Sequence, residues 1–162
     1  MVSKIIKSII AFLTIILIFV NVIEAQNSNN AYRIDTFTAS STPVLELRTS
    51  GGSLNVIGHD ENEIIIEMYV RRGSRYLDPS DTDLSEFEID IYQDGDLIKA
   101  EATREDSGFS LFRSVKKISI SFRAYVPVHT LVDGSTSGGS VSAENIMNNL
   151  TLRTSGGSIS VD

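Results

Sequence analysis

The chain has 162 residues, of which 41% are hydrophobic, no cysteine, and a formal net charge of −7. That length suits one domain with its own core, and the lack of cysteine excludes a disulfide framework and a thiolate-bound metal. The acidic balance excludes nucleic acid as a partner, because phosphates are neutralised by dense lysine and arginine. The pairs Arg71-Arg72 and Lys116-Lys117 are too small to reverse it, and each reads as a solvated strand end.

Residues 1–25 read as a signal peptide for secretion. Lys4 and Lys7 form a basic leader, Ile9 to Val20 an apolar stretch, and Ile23-Glu24-Ala25 a cleavage context, so that Gln26 would begin the mature protein. The alternative is an uncleaved anchor, since Ile5 to Ile23 just spans about 30 Å of hydrocarbon if Lys7 and Asn21 snorkel. Either way the remainder is expected to be exported, to the periplasm, the cell surface or the medium, and to meet a membrane only through this segment. No cysteine follows the apolar run, which removes lipid modification as a route of attachment. Without residues 1–25 the chain loses Lys4, Lys7 and Glu24, leaving 12 basic against 20 acidic residues, a charge of −8.

Residues 26–42 are expected to hold a linker and a first strand, with the polar run Gln26 to Asn30 lacking structure. Residues 43–162 then form a β-repeat domain. In Glu63 to Val70, the three isoleucines Ile64, Ile65 and Ile66 favour a strand, and their continuity predicts burial on both faces. The pattern breaks from Arg72 to Asp83, where Gly73, Asp78, Pro79, Ser80, Asp81 and Asp83 predict a surface loop with room for one helical turn. Phe87, Ile89 and Ile91 alternate with Glu88, Asp90 and Tyr92. Asp94-Gly95 supplies a turn and Asp96 to Thr103 the returning strand, which together predict a hairpin. Arg104 to Ser114 is irregular, and its Phe109, Leu111 and Phe112 are expected to pack over a sheet edge, the other reading being a contact patch. In Lys117 to Val126, Ile118, Ile120, Phe122 and Ala124 face one way and Ser119, Ser121 and Arg123 the other, until Pro127 ends the strand.

The strongest signal is internal similarity. Leu45 to Val56 recurs as Leu150 to Val161, differing only at Glu46/Thr151, Leu54/Ile159 and Asn55/Ser160. A looser copy runs from Val132 to Ala143 and precedes the last by 18 residues, the separation of Ser140 from Ser158. Each copy carries a corner: Ser50-Gly51-Gly52-Ser53, Ser137-Gly138-Gly139-Ser140 and Ser155-Gly156-Gly157-Ser158. These twelve residues are the structural turns of the repeat. Glycine is expected there for backbone angles forbidden to other residues, and serine for capping local backbone groups. Two short alternating strands around such a corner cannot bury their own apolar face. Stacked units can, as coils of a solenoid do. The fold class expected is therefore all-β, a single-stranded right-handed β-helix or solenoid-like repeat with an N-terminal antiparallel β portion.

The Thr-Ser-Gly-Gly-Ser-Ile-x-Val units, the strand ending in Val126-Pro127 and the exported N-terminus resemble the bacterial putative-adhesin family of β-strand repeats, itself a domain of unknown function. The resemblance spans roughly Pro43 to Asp162. It implies a right-handed β-helix-like domain on the envelope or cell surface, and it brings no catalytic residues to carry over. Members of that family continue through further coils, so with its stop at Asp162 after an apolar strand the domain is expected to be truncated at its C-terminus.

No pattern for chemistry stands out. His59 and His129 share no ligand spacing, so no metal is expected at them. Asp78, Asp81 and Asp83 are the densest carboxylates but lack the alternating calcium loop, and read as a hydrated turn. The serines sit in no nucleophile elbow and the glycines in no phosphate loop. Asn149-Leu150-Thr151 matches a glycosylation acceptor that carries no meaning in a bacterial chain. The expected role is a non-enzymatic adhesin, or an envelope binding or scaffold module, without cofactor, whose partner is an envelope protein, a peptide or a glycan. Two alternatives stand beside it: a carbohydrate-processing β-helix enzyme, and a membrane-linked scaffold of envelope stress.

Overall fold

A computed structural model describes residues 30–80, 82–104 and 118–162. Residues 1–25, read above as a signal peptide, most of the expected linker, Asp81, the stretch holding Phe109, Leu111 and Phe112, and the pair Lys116-Lys117 lie outside the described residues. The described part is all-β and has twelve strands: β1 (Arg33–Thr38), β2 (Val44–Thr49), β3 (Leu54–His59), β4 (Glu63–Arg72), β5 (Arg75–Tyr76), β6 (Phe87–Asp94), β7 (Leu97–Arg104), β8 (Ile118–Pro127), β9 (Leu131–Thr136), β10 (Val141–Glu144), β11 (Leu150–Thr154) and β12 (Ile159–Val161). No described residue is helical, and residues 72–80 form turns and the short β5, with no helical turn among them.

The strands form two open sheets. One runs β1-β4-β8-β3-β10-β12 with β5 beside β4, and the other runs β11-β9-β2-β7-β6. Both are mixed. β8, β3, β10 and β12 are mutually parallel, as are β7, β2, β9 and β11, whereas β1, β4 and β5 join antiparallel at one side and β6 joins β7 as a hairpin. The single-stranded β-helix expected from the repeat therefore reduces to an all-β fold of two mixed sheets. The physical reason is that the chain leaves the repeat after β3, lays β4 antiparallel to β8, and comes back through the β6–β7 hairpin before it resumes. Gly95, the first of that hairpin's two turn residues, has φ 58°, as a II′ turn requires.

The three repeat copies are neighbours. β2–β3, β9–β10 and β11–β12 are two-strand rungs, one strand in each sheet, with Leu45 aligned on Val132 and Val132 on Leu150. Leu54, Val141 and Ile159 align in the same way in the facing sheet. Inward side chains of both sheets make one core, including Leu45, Leu47, Leu54, Ile66, Ile98, Phe122 and Val126. Burying each such side chain is worth about 1.5–3 kcal/mol against exposure. Gly134 occupies the register position of Leu47 and Leu152, and a Cβ there would lie 3.2 Å from Leu152 Cδ2 and 3.6 Å from Leu54 Cδ1. The looser copy thus leaves room for the leucines of its neighbours. Of the three isoleucines, Ile64 and Ile66 are buried while Ile65 is only half-buried, opposite Tyr125 on the outer face. Burial on both faces therefore fails at Ile65, but it holds further along β4, where Glu67 and Tyr69 on the outer face are buried together with Met68 and Val70 on the inner one.

Candidate functional site

The Ser-Gly-Gly-Ser corners join the two strands of each rung, and their glycines work differently from the expectation. None takes a positive φ; among the described residues the glycines that do are Gly73 and Gly95. What the second glycine of each corner provides is close approach. A Cβ on Gly52 would lie 1.8 Å from the carbonyl oxygen of Ile120, one on Gly139 2.1 Å from that of Gly52, and one on Gly157 2.2 Å from that of Gly139. The first glycines, Gly51, Gly138 and Gly156, would meet nothing closer than 3.4 Å. Threonines fasten the same joint: Thr49 donates to Ile120 O at 2.7 Å, Thr136 to Gly52 O at 2.6 Å and Thr154 to Gly139 O at 2.7 Å. The serines line the outer edge, where Ser53 N donates to Ser121 Oγ and Ser140 Oγ lies 3.3 Å from Ser158 Oγ. These twelve corner residues hold rungs together and lie beside, more than in, the groove described next.

The outer faces of the two sheets differ in chemistry. On the sheet that contains β2, charged side chains neutralise one another: Arg48 Nε pairs with Glu46 at 2.6 Å, Arg153 with Asp133 at 3.4 Å, and Lys99 with Glu101. The Arg48 guanidinium is held above its ordinary pKa chiefly by the hydrogen bond to Glu46, and the Lys99 ammonium likewise by Glu101. Such a face is satisfied by itself in water.

The outer face of the sheet that contains β8 carries a groove of ≈ 240 Å³. Alternation along β4 turns Glu67, Tyr69 and Arg71 outward, and alternation along β8 does the same for Ser121 and Arg123. Antiparallel register sets Tyr69 opposite Ser121 and Glu67 opposite Arg123, and the parallel partner strand adds Asn55 next to Arg123. At one end Tyr69 and Tyr76 meet edge to face with ring centroids 5.9 Å apart. Arg71 lies over the Tyr76 ring at 5.2 Å and Arg123 over the Tyr69 ring at 5.4 Å. Tyr69 donates its hydroxyl to Glu67 Oε2 at 2.6 Å, and Arg123 Nη1 donates to the Tyr69 oxygen at 3.3 Å. Burial, reinforced by the bond to Glu67, raises the Tyr69 phenol far above its ordinary pKa, so it stays a protonated donor.

Two polar side-chain atoms in this groove are buried without a hydrogen-bond partner, Asn55 Oδ1 and Arg71 Nε; Arg72 Nε, Thr82 Oγ1 and Thr130 Oγ1 share that state outside it. Native structures leave few such atoms, and each calls for a partner or another physical cause. The reading of Arg71-Arg72 as a solvated strand end is thereby corrected for Arg71, whose head lies against Tyr76. The sequence signal that would have found the site is the outward side of β4. A strand face with Tyr69 and Arg71 in alternation, opposite a face of Ser121 and Arg123, is richer in binding chemistry than a plain solvated face.

Elsewhere the polar residues are engaged locally. Asp78 Oδ1 accepts from Ser80 N and Oγ, which lowers its pKa, and Asp83 accepts the Ser85 N–H on Oδ1 and the Ser85 hydroxyl on Oδ2. His59 Nδ1 accepts from Glu61 N, and the His129 carbonyl accepts from Asn148. Among the described residues no three His, Asp or Glu side chains gather as a metal site, and no helix is long and apolar enough to cross a membrane.

No protein-family model matches the chain, and no curated protein matches it. One solved structure that it resembles is a "putative cell adhesion protein" from Clostridium sporogenes, at 13% identity and a TM-score of 0.42. The match covers 78% of this chain and 58% of that one, so the chain spans less than two thirds of its length.

Proposed function

We propose that this chain is an exported, non-enzymatic, adhesin-like binding module of a bacterial envelope, and that the Tyr69–Arg71–Arg123 groove is its binding surface. The observation that carries the reading is the contrast between the two outer faces. One is closed by its own ion pairs, whereas the other keeps Asn55 Oδ1 and Arg71 Nε buried and unpartnered in a groove that Tyr69 and Tyr76 also line. Export is supported by Lys4, Lys7, the apolar run Ile9 to Val20 and Ala25. The stacked rungs serve as a short β-helix-like solenoid, a rigid support that holds groove residues in fixed register. A binding role is favoured over a glycoside-cleaving one because the described residues that line the groove include no carboxylate, Glu67 reaching it only through Tyr69 and Arg123. Cleavage of that kind calls on a pair of carboxyl groups.

The test is retention of the full-length protein on intact cells, envelope extracts and immobilised glycans, alongside Tyr69→Ala/Arg71→Ala and, as a control, Arg48→Ala. Retention of the parent and of Arg48→Ala, with loss for the double variant, is the expected result. Failure of the parent to bind any of the three at low or high salt defeats the reading. Sequencing the N-terminus of the exported product checks cleavage after Ala25.

A further inference from the structure

Building on the binding-module reading, we propose that the groove takes an acidic glycan, a chain of pyranose rings with sparse carboxylates, laid across the strands with one carboxylate on Arg71. The charge argument comes first. Arg123 is already compensated by Glu67 at 3.6 Å, but Arg71 has no carboxylate partner among the described residues and rests on the Tyr76 ring. A guanidinium whose Cζ lies 5.2 Å from an aromatic ring centre, with its Nε unbonded, keeps donors in reserve for an anionic group. Because the chain as a whole carries −7, a densely charged polyanion would be repelled. One carboxylate every few rings suits one open guanidinium.

The shape of the floor favours sugar over peptide. Register aligns Arg123, Asn55, Ser142 and Ser160 in one row across four parallel strands, with Arg71 and Tyr76 four register positions along the strands from it, at the level of Ser119. Neighbouring strands are about 4.8 Å apart, close to the length of one sugar residue in an extended glycan, so successive rings would each meet one hydroxyl or amide of the row. The buried Asn55 Oδ1 then accepts from a sugar hydroxyl. Tyr76, 42% exposed, offers a ring face against which the C–H side of a pyranose can lie. An extended peptide would instead be recognised by adding to a free strand edge, and the groove lies inside the sheet, where β4 is already paired with β1, β5 and β8.

The experiment is calorimetric titration of the full-length protein with a hyaluronan octamer, a neutral chito-octamer of similar length, and a poly-glutamate peptide. Tyrosine emission gives a second readout, since the chain has no tryptophan and two of its five tyrosines form the groove end. The expected result is binding of the acidic octamer alone, weakened at least tenfold by Arg71→Ala and by Tyr76→Ala, and unchanged by Arg48→Ala. Circular dichroism of each variant separates lost binding from lost fold, and Arg71→Lys, which keeps charge but not the fork, should recover only part of the affinity. Equal binding of the neutral octamer overturns the acidic class and leaves the binding-module reading in place. Binding of poly-glutamate at equal affinity reassigns the groove to acidic peptide, and acidic-octamer binding indifferent to Arg71→Ala overturns the site. Absence of binding to all three overturns the inference, and retention on envelope extracts then decides whether the broader reading falls with it.

Discussion

Thr136 donates its hydroxyl to the carbonyl oxygen of Gly52, 2.6 Å away and 84 residues earlier in the chain. The same oxygen of Thr136 accepts from the backbone N–H groups of Gly138 and Gly139 at 3.4 Å. One buried side chain therefore ties its own corner and joins it to the rung before.

That double role sets the first prediction. Thr136→Val keeps the shape but strips the Gly52 carbonyl of its donor in a buried place, which should destabilise the fold by about 1–3 kcal/mol. Thr136→Ser should retain most of the stability. Urea unfolding reads both: the valine midpoint should fall with an unchanged slope, and a valine variant as stable as the parent would mean that the hydroxyl is dispensable.

The glycines of one corner should separate sharply. Gly139→Ala places a Cβ 2.1 Å from the Gly52 carbonyl oxygen, a backbone atom that can yield only if the rungs part. A loss of about 3 kcal/mol or more, at the upper end for overpacking, is expected. Gly138→Ala meets Gly51 Cα at 3.6 Å, an ordinary contact, and should stay within about 0.5 kcal/mol of the parent. Thermal melts of the two variants side by side test the close-approach account, which fails if they move together.

Tyr69 should make stability fall in alkali. Its folded pKa lies above the ordinary 10.0, first through burial and then through the bond to Glu67, so the folded state keeps a proton that the unfolded state releases. The stabilisation is complete below about pH 10 and is lost as pH rises toward the folded value. Urea midpoints between pH 8 and pH 11 should therefore drop more steeply for the parent than for Tyr69→Phe. Parallel curves would show that the phenol is not held in this way.

Much of the strand content was legible because alternation is a local property. The β6–β7 hairpin could be read from Phe87, Ile89 and Ile91 with Asp94-Gly95, and β8 from Ile118 to Val126. The duplication of Leu45 to Val56 likewise pointed to like segments side by side. What was hidden is non-local. The order β7-β2-β9-β11 places the first copy between the hairpin and the second copy, and no periodicity states where a chain that wanders off will return. The glycines were assigned to the wrong cause because unusual backbone angles and the absence of a Cβ leave the same letter in a sequence. The groove was invisible for a related reason. Tyr69 and Arg71 share β4 while Asn55 lies on β3, and only the register of both strands with Ser121 and Arg123 of β8 brings them together.

The joint between rungs is built from both halves of the same segment: Thr136 donates to Gly52, and Gly139 of that same copy accepts from Thr154. A recombination event that duplicates or deletes one 18-residue stretch copies or removes donor and acceptor together. The count of rungs can thus drift over evolutionary time without a compensating substitution elsewhere, and the width of the presented face becomes a trait that gene rearrangement can tune in whole steps.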